Sequence, residues 1–111
     1  MEDGSRKSSM GVLRSTAPEV AQSFVAMRAA IESAGPLDAK TRALVVCGGF
    51  AATAKETGFR SWCRRAIDAG ASREELYQTV LLALGFTQGI ATVAEGLSWV
   101  DDAFASASHQ T

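Results

Sequence analysis

Seven residues near the middle of the chain, Ala69-Gly70-Ala71-Ser72-Arg73-Glu74-Glu75, write the end of one helix and the start of the next. Glycine is favoured just past a helix C-terminus because it accepts a left-handed backbone without penalty. Ser72 with Glu75 three positions on has the form of a capping box, in which each side chain satisfies a backbone N–H that the first helical turn leaves unpaired. A chain punctuated in this way folds as antiparallel helices joined by tight turns. Leu76, Val80, Leu81 and Leu84 then predict one apolar side of the helix that follows.

Other segments read in the same manner. Thr16-Ala17-Pro18-Glu19 supplies a candidate N-cap, an early proline and a glutamate at the capping-box position. Val20, Phe24, Met27 and Ile31 recur at spacings of four, three and four, which makes one apolar face that ends at Gly35-Pro36. Asp38 caps a second helix reaching about Thr53, whose Leu44, Val45, Val46 and Phe50 predict the most buried element. Gly48-Gly49 inside it costs about 1 kcal/mol per glycine relative to alanine, so close approach by another helix or a ligand is expected there. A break near Glu56-Thr57-Gly58 precedes a short helix over Phe59 to Ala69. The chain turns again between Gly85 and Gly89, and Ile90, Val93, Leu97, Val100 and Phe104 form a seam expected in a bundle core or an oligomer contact. The domain reading is a loose polar arm over residues 1–15, one helical domain over 16–105, and a polar tail over 106–111.

A length of 111 residues with 47% apolar residues suits a single core, and few prolines and short β-branched runs favour helix over strand. No apolar stretch is long enough for a membrane span, and Met1 to Ser9 has no apolar run of the signal-peptide kind. A cytoplasmic protein with no membrane partner is expected, and two cysteines without a local motif fit a reducing compartment. Residues 36–73 hold seven Lys/Arg against three acids, whereas residues 74–111 hold five acids and no Lys/Arg. This asymmetry is read as solvated helix faces, as surfaces that meet in an oligomer, or as attraction for an anionic substrate. A nucleic-acid partner is not expected, since the pI is near 5.8 and no stacking aromatics interleave with the basic residues.

Leu37-Asp38-Ala39-Lys40-Thr41-Arg42-Ala43-Leu44, a helical hairpin, and then Ala66-Ile67-x-x-Gly70-Ala71-Ser72-x-Glu74-Glu75-Leu76 closely resemble the carboxymuconolactone decarboxylase and alkylhydroperoxidase D family over roughly residues 36–100. The resemblance implies an all-α fold, assembly as a homo-oligomer (trimer or hexamer), and an active site around a central antiparallel helix hairpin. It also implies where the chemistry would stand. The family's histidine falls on Trp62, the two cysteines of the Cys-x-x-Cys motif on Lys55 and Gly58, the upstream glutamate on Ala43, and a glutamate of the decarboxylase branch on Gly58. The chain is therefore an atypical member, without the usual groups at those positions.

Peroxide reduction by thiols needs a nucleophilic thiolate and a resolving thiol. Cys47 and Cys63 are sixteen residues apart on different helices and read as two ordinary buried cysteines, with a redox pair as the lesser alternative. Lys55 and Glu56 are the candidate catalytic acid or base at the hairpin, against the simpler reading of a solvated turn. Arg42 and Arg60 are candidates to hold a substrate carboxylate, or else make surface or intersubunit pairs. Trp62 either stacks on a flat ligand or fills the emptied pocket. His109 is the only histidine and is read as a tail residue, and no metal site or cofactor is expected.

Two functions fit these readings. The first is a cofactor-independent decarboxylase, isomerase or ring-rearranging enzyme acting on a small anionic molecule. The second is a catalytically silent helical oligomer that binds a ligand or partner. Thiol peroxidase or disulfide reductase activity is a third and weaker expectation. An enclosed pocket bordered by Trp62 with Glu56 or Arg60 turned inward favours the enzyme; a filled hairpin core counts against it.

Overall fold

The computed structural model describes residues 8–109, with side chains through residue 106, and every regular element among them is a helix. They are α1 (Ser9–Thr16), α2 (Pro18–Glu32), α3 (Ala39–Ala52), α4 (Glu56–Asp68), α5 (Arg73–Gly85) and α6 (Ile90–His109). The chain divides into two compact units, Met1–Pro36 and Leu37–Thr111.

The first unit contains a helix within the stretch expected as a loose arm. Ser8 caps α1 by accepting the Gly11 N–H on its hydroxyl at 3.0 Å. Thr16 thereby becomes the last residue of α1 and cannot cap α2. Ala17 takes that place with no side-chain bond, and Pro18 starts α2 with the ring-fixed φ that suits a first helical position. Ala21 is the residue of α2 that is buried. Val20, Phe24, Met27 and Ile31, the expected apolar face, are all about half exposed.

In the second unit the punctuation forms as the sequence indicates. Asp38 Oδ1 accepts the Thr41 N–H at 2.9 Å and opens α3. Ser72 accepts from Glu75 N–H while the Glu75 carboxylate accepts the Ser72 N–H, completing the capping box of α5. Gly70, at φ +102°, ends α4, and the Ala71 N–H returns to the Ala66 carbonyl at 2.9 Å. The turn between α3 and α4 lies earlier than expected. Ala54 takes the left-handed conformation at φ +57°, the Lys55 N–H bonds the Phe50 carbonyl at 2.9 Å, and α4 starts at Glu56. Gly58 is thus inside a helix, and its small size serves packing instead of the turn.

Helix α3 packs against α4 and α5, and α6 packs against the same two, so the four helices ring one core. Its largest fully buried side chains are Phe59, Leu76, Leu84, Val80 and Val100, with Trp99 tilted against Phe59 at a ring separation of 5.5 Å. These come from α4, α5 and α6. Helix α3, expected to be the most buried, buries only Ala43, Cys47 and Ala51, and its Val45 is 61% exposed. Small side chains on α3 let α4 approach closely, and the outward side of α3 keeps its apolar residues in solvent. Of the two glycines in α3, Gly48 comes within ordinary contact distance of Thr79, whereas Gly49 faces open space. In α6, Val93, Leu97 and Phe104 are partly buried against the core to which Val100 belongs, while Ile90, first in the expected seam, is 87% exposed. The helix runs to His109, beyond the expected domain limit at 105; the His109 side chain lies outside the described residues.

Candidate functional site

The α3–α4 hairpin holds the positions at which chemistry was expected, and its interior is occupied by the chain's own side chains. A Cβ placed on Gly58 would lie 2.6 Å from Cδ1 and 2.7 Å from Cζ of Phe50, too close for any side chain unless the ring moves. Phe50 is half-buried on α3, and its ring fills the space that a cysteine or glutamate at position 58 would need. Trp62 belongs to the buried core at 9% exposure. The Arg65 guanidinium lies 3.9 Å from its ring centroid, which covers one face of the indole. Ala43 is buried as well.

The charged candidates lie at the surface. Lys55 is exposed in the turn. Glu56, on the first turn of α4, accepts a 2.7 Å hydrogen bond from Arg60 Nε, and Arg60 Nη2 donates to Asp102 of α6 at 3.0 Å. The Glu56 hydrogen bond, reinforced by that of Asp102, raises the Arg60 pKa further and holds its charge between two carboxylates. Arg42 donates through Nη1 to the Leu37 carbonyl at 2.6 Å, so it braces the start of α3. Arg42 and Arg60 are therefore not brought together around a common ligand position.

Cys47 and Cys63 are free thiols, both completely buried, and each perturbs the titration of the other across the hairpin. Hydrogen bonding toward Cys63, together with burial, pushes Cys47 far above the ordinary thiol range. Cys63 moves the other way, because a thiolate there accepts the Cys47 hydrogen bond and is attracted by Arg60. The sequence placed these residues on facing helices; it did not show that each perturbs the other.

Two surface depressions lie outside the hairpin interior. An open groove of about 360 Å³ runs between α3 and α5, lined by Thr41, Leu44, Val45, Gly48, Leu82 and Ala83. A polar cleft of about 200 Å³ is bordered by Arg60, Arg64, Asp102 and Ser106. Neither groove nor cleft was picked out from the sequence. Val45, read there as part of the most buried helix, was the available signal. Among the described residues, no group of three or more His, Cys, Asp and Glu side chains could hold a metal ion, and no helix is long and apolar enough to cross a membrane.

A closed ring of four helices, capped by Asp38 and by the Ser72–Glu75 box and built on an α3–α4 hairpin, is an all-α fold of the kind the sequence resemblance implies. Residues 18–102 match the carboxymuconolactone decarboxylase family, and the chain belongs to that family. No curated protein and no solved structure matches it.

Proposed function

We propose that this family member is a catalytically silent helical oligomer that binds a partner or ligand through its apolar surface. The observation that carries this reading is the filled hairpin: Phe50 occupies the side-chain space at Gly58, and Trp62 is built into the core with Arg65 across it. A substrate at the family's position would have to displace both aromatics. Self-association is supported by the apolar side chains left in solvent, among them Val45 and Leu82 at the α3–α5 groove and Phe86 and Ile90 at the α5–α6 turn, the last two more than 80% exposed. Monomeric proteins rarely keep large contiguous apolar patches in water.

The test pairs assembly with turnover. Light scattering is expected to give a trimer or hexamer, and the purified protein is expected to show no hydroperoxide consumption with a dithiol reductant and no decarboxylation of carboxymuconolactone. Turnover that Glu56→Gln abolishes would overturn the silent reading. A second reading, a cofactor-independent enzyme acting on a small anion, draws on the Arg60–Arg64 cleft. It is the weaker one, because Glu56 and Asp102 already neutralise Arg60, and Arg64 is paired with Asp68 at 3.4 Å.

A further inference from the structure

Helix α3 carries two glycines that its own neighbours do not require. A Cβ on Gly48 would sit 3.6 Å from Thr79 Cγ2 and 4.0 Å from the Ala83 Cβ, which is ordinary contact, and one on Gly49 would meet nothing within 4 Å. Alanine therefore fits at both positions, although each glycine inside a helix costs about 1 kcal/mol relative to it. Nothing in the chain's own packing offsets that cost; a body from outside that comes close to the α3 backbone would. Gly48 lines the open groove of about 360 Å³ between α3 and α5, whose lining carries no charged residue. Val45 and Leu82 in that lining are 61% and 57% exposed.

A face that suits the groove lies on α2. Val20, Phe24, Met27 and Ile31 share one side of that helix and are 44% to 62% exposed, whereas Ala21, about 100° around the helix from Val20, is the buried residue. Anchors at i, i+4 and i+7 are the pattern of a helix laid into an apolar groove. Val20 to Met27 spans seven residues, as does Thr41 to Gly48 along the groove, about 10 Å in each case. Both faces stand in solvent in the single chain. We propose that two copies of the chain exchange α2, so that the Val20–Ile31 face of each lies in the α3–α5 groove of the other. The exchange rests on the reading of the chain as a helical oligomer and names the surfaces that join its copies. The amount of surface sets the symmetry. Four side chains left half in solvent expose roughly 400 Å² on α2, and the groove offers about as much, so one contact buries on the order of 800 Å² in total. A stable interface needs about 1,200 to 2,000 Å². Two reciprocal contacts about a twofold axis reach that size, and three such pairs make a hexamer but not a trimer.

The experiment coexpresses two full-length variants, Phe24→Cys and Leu82→Cys, oxidises the purified mixture with copper phenanthroline, and reads a tryptic map without reductant. The expected product joins peptide 15–28 of one chain to peptide 74–111 of the other, and dithiothreitol releases it. Each chain carries only one of the two new thiols, so α2 folded onto its own groove gives no such link. Light scattering of the unsubstituted protein is expected to give an even number of chains. Phe24→Glu is expected to lower that mass at least twofold while the helical circular dichroism is kept. Peptide 74–111 joined chiefly to itself, a trimer, an undiminished mass in Phe24→Glu, or an even-numbered oligomer without the 15–28 to 74–111 link would each overturn the exchange and leave the oligomer reading standing. A monomeric unsubstituted protein would overturn both.

Discussion

At the scale of the single residue, Gly58 and Trp62 decide how the hairpin is read, and both make opposing predictions testable. Alanine inside a helix is ordinarily better than glycine by about 1 kcal/mol. At position 58 the new Cβ would press into the Phe50 ring, and overpacking of this kind costs about 1 to 3 kcal/mol. Gly58→Ala is therefore expected to lower stability in urea denaturation, and to do so much less in a Phe50→Leu background. A stabilising Gly58→Ala in the unsubstituted protein would mean that the space beside Gly58 is open. Trp62→Ala is expected to cost about 3 to 5 kcal/mol, as for a large core aromatic; a cost under about 1 kcal/mol would place the indole in a ligand pocket. The sequence register set both positions in the hairpin, with Gly58 in the turn, whereas the structure has it inside α4. What it could not show was Phe50, eight residues upstream, standing in the space Gly58 leaves, because an absent side chain is equally compatible with a turn, a ligand or a neighbouring ring.

At the scale of the helix, what was most legible was what depends on local chemistry. Asp38, Gly70 and the Ser72–Glu75 box act within a few residues of themselves, so their effect is readable without knowing the fold. Ser72→Ala is expected to destabilise by about 1 kcal/mol through loss of that cap, measured by thermal or urea unfolding. The same caps set a pH dependence. The Thr41 N–H holds Asp38 below its unfolded value of 3.8, and the Ser72 N–H, helped by Lys40, holds Glu75 below 4.5. Because both are depressed in the folded state, their contribution is complete above those values and is lost as pH falls through the lower folded ones. Stability is expected to decline below about pH 4.5, and Glu75→Gln to flatten part of that decline; an unchanged pH profile in Glu75→Gln would remove Glu75 from the account. Thr16 failed as a cap for a reason of equal locality: Ser8 starts a helix early enough to absorb it. Periodicity was less informative than capping. It identified the apolar face of α2, but a repeat of three and four says only that one face is apolar and not what covers it.

For the whole molecule, the division into a basic middle and an acidic end has a use inside the chain. Helix α4 carries much of the basic charge and α6 much of the acid, and the two pack together. Arg60 meets Asp102 at 3.0 Å, Arg73 approaches Asp101 at 3.8 Å, and Lys40 meets Glu75 at 3.0 Å. The asymmetry that could have steered an anionic substrate or joined two subunits is thus taken up in part by intramolecular pairs. Such exposed pairs contribute little, about 0 to 1 kcal/mol each. What remains unsatisfied on the second unit is apolar: Val45, Leu81, Leu82, Phe86 and Ile90. If these side chains drive assembly, the oligomer should be insensitive to salt, since screening acts on charges and does not weaken burial of hydrocarbon. Light scattering is expected to give the same mass at low salt and at on the order of 0.5 M sodium chloride. Leu82→Glu, placed in the α3–α5 groove, should shift that mass toward the monomer while the circular dichroism of the helices is retained. Dissociation of the unsubstituted protein at high salt would instead assign the interface to its charges, and an intact oligomer in Leu82→Glu would move the contact away from the groove.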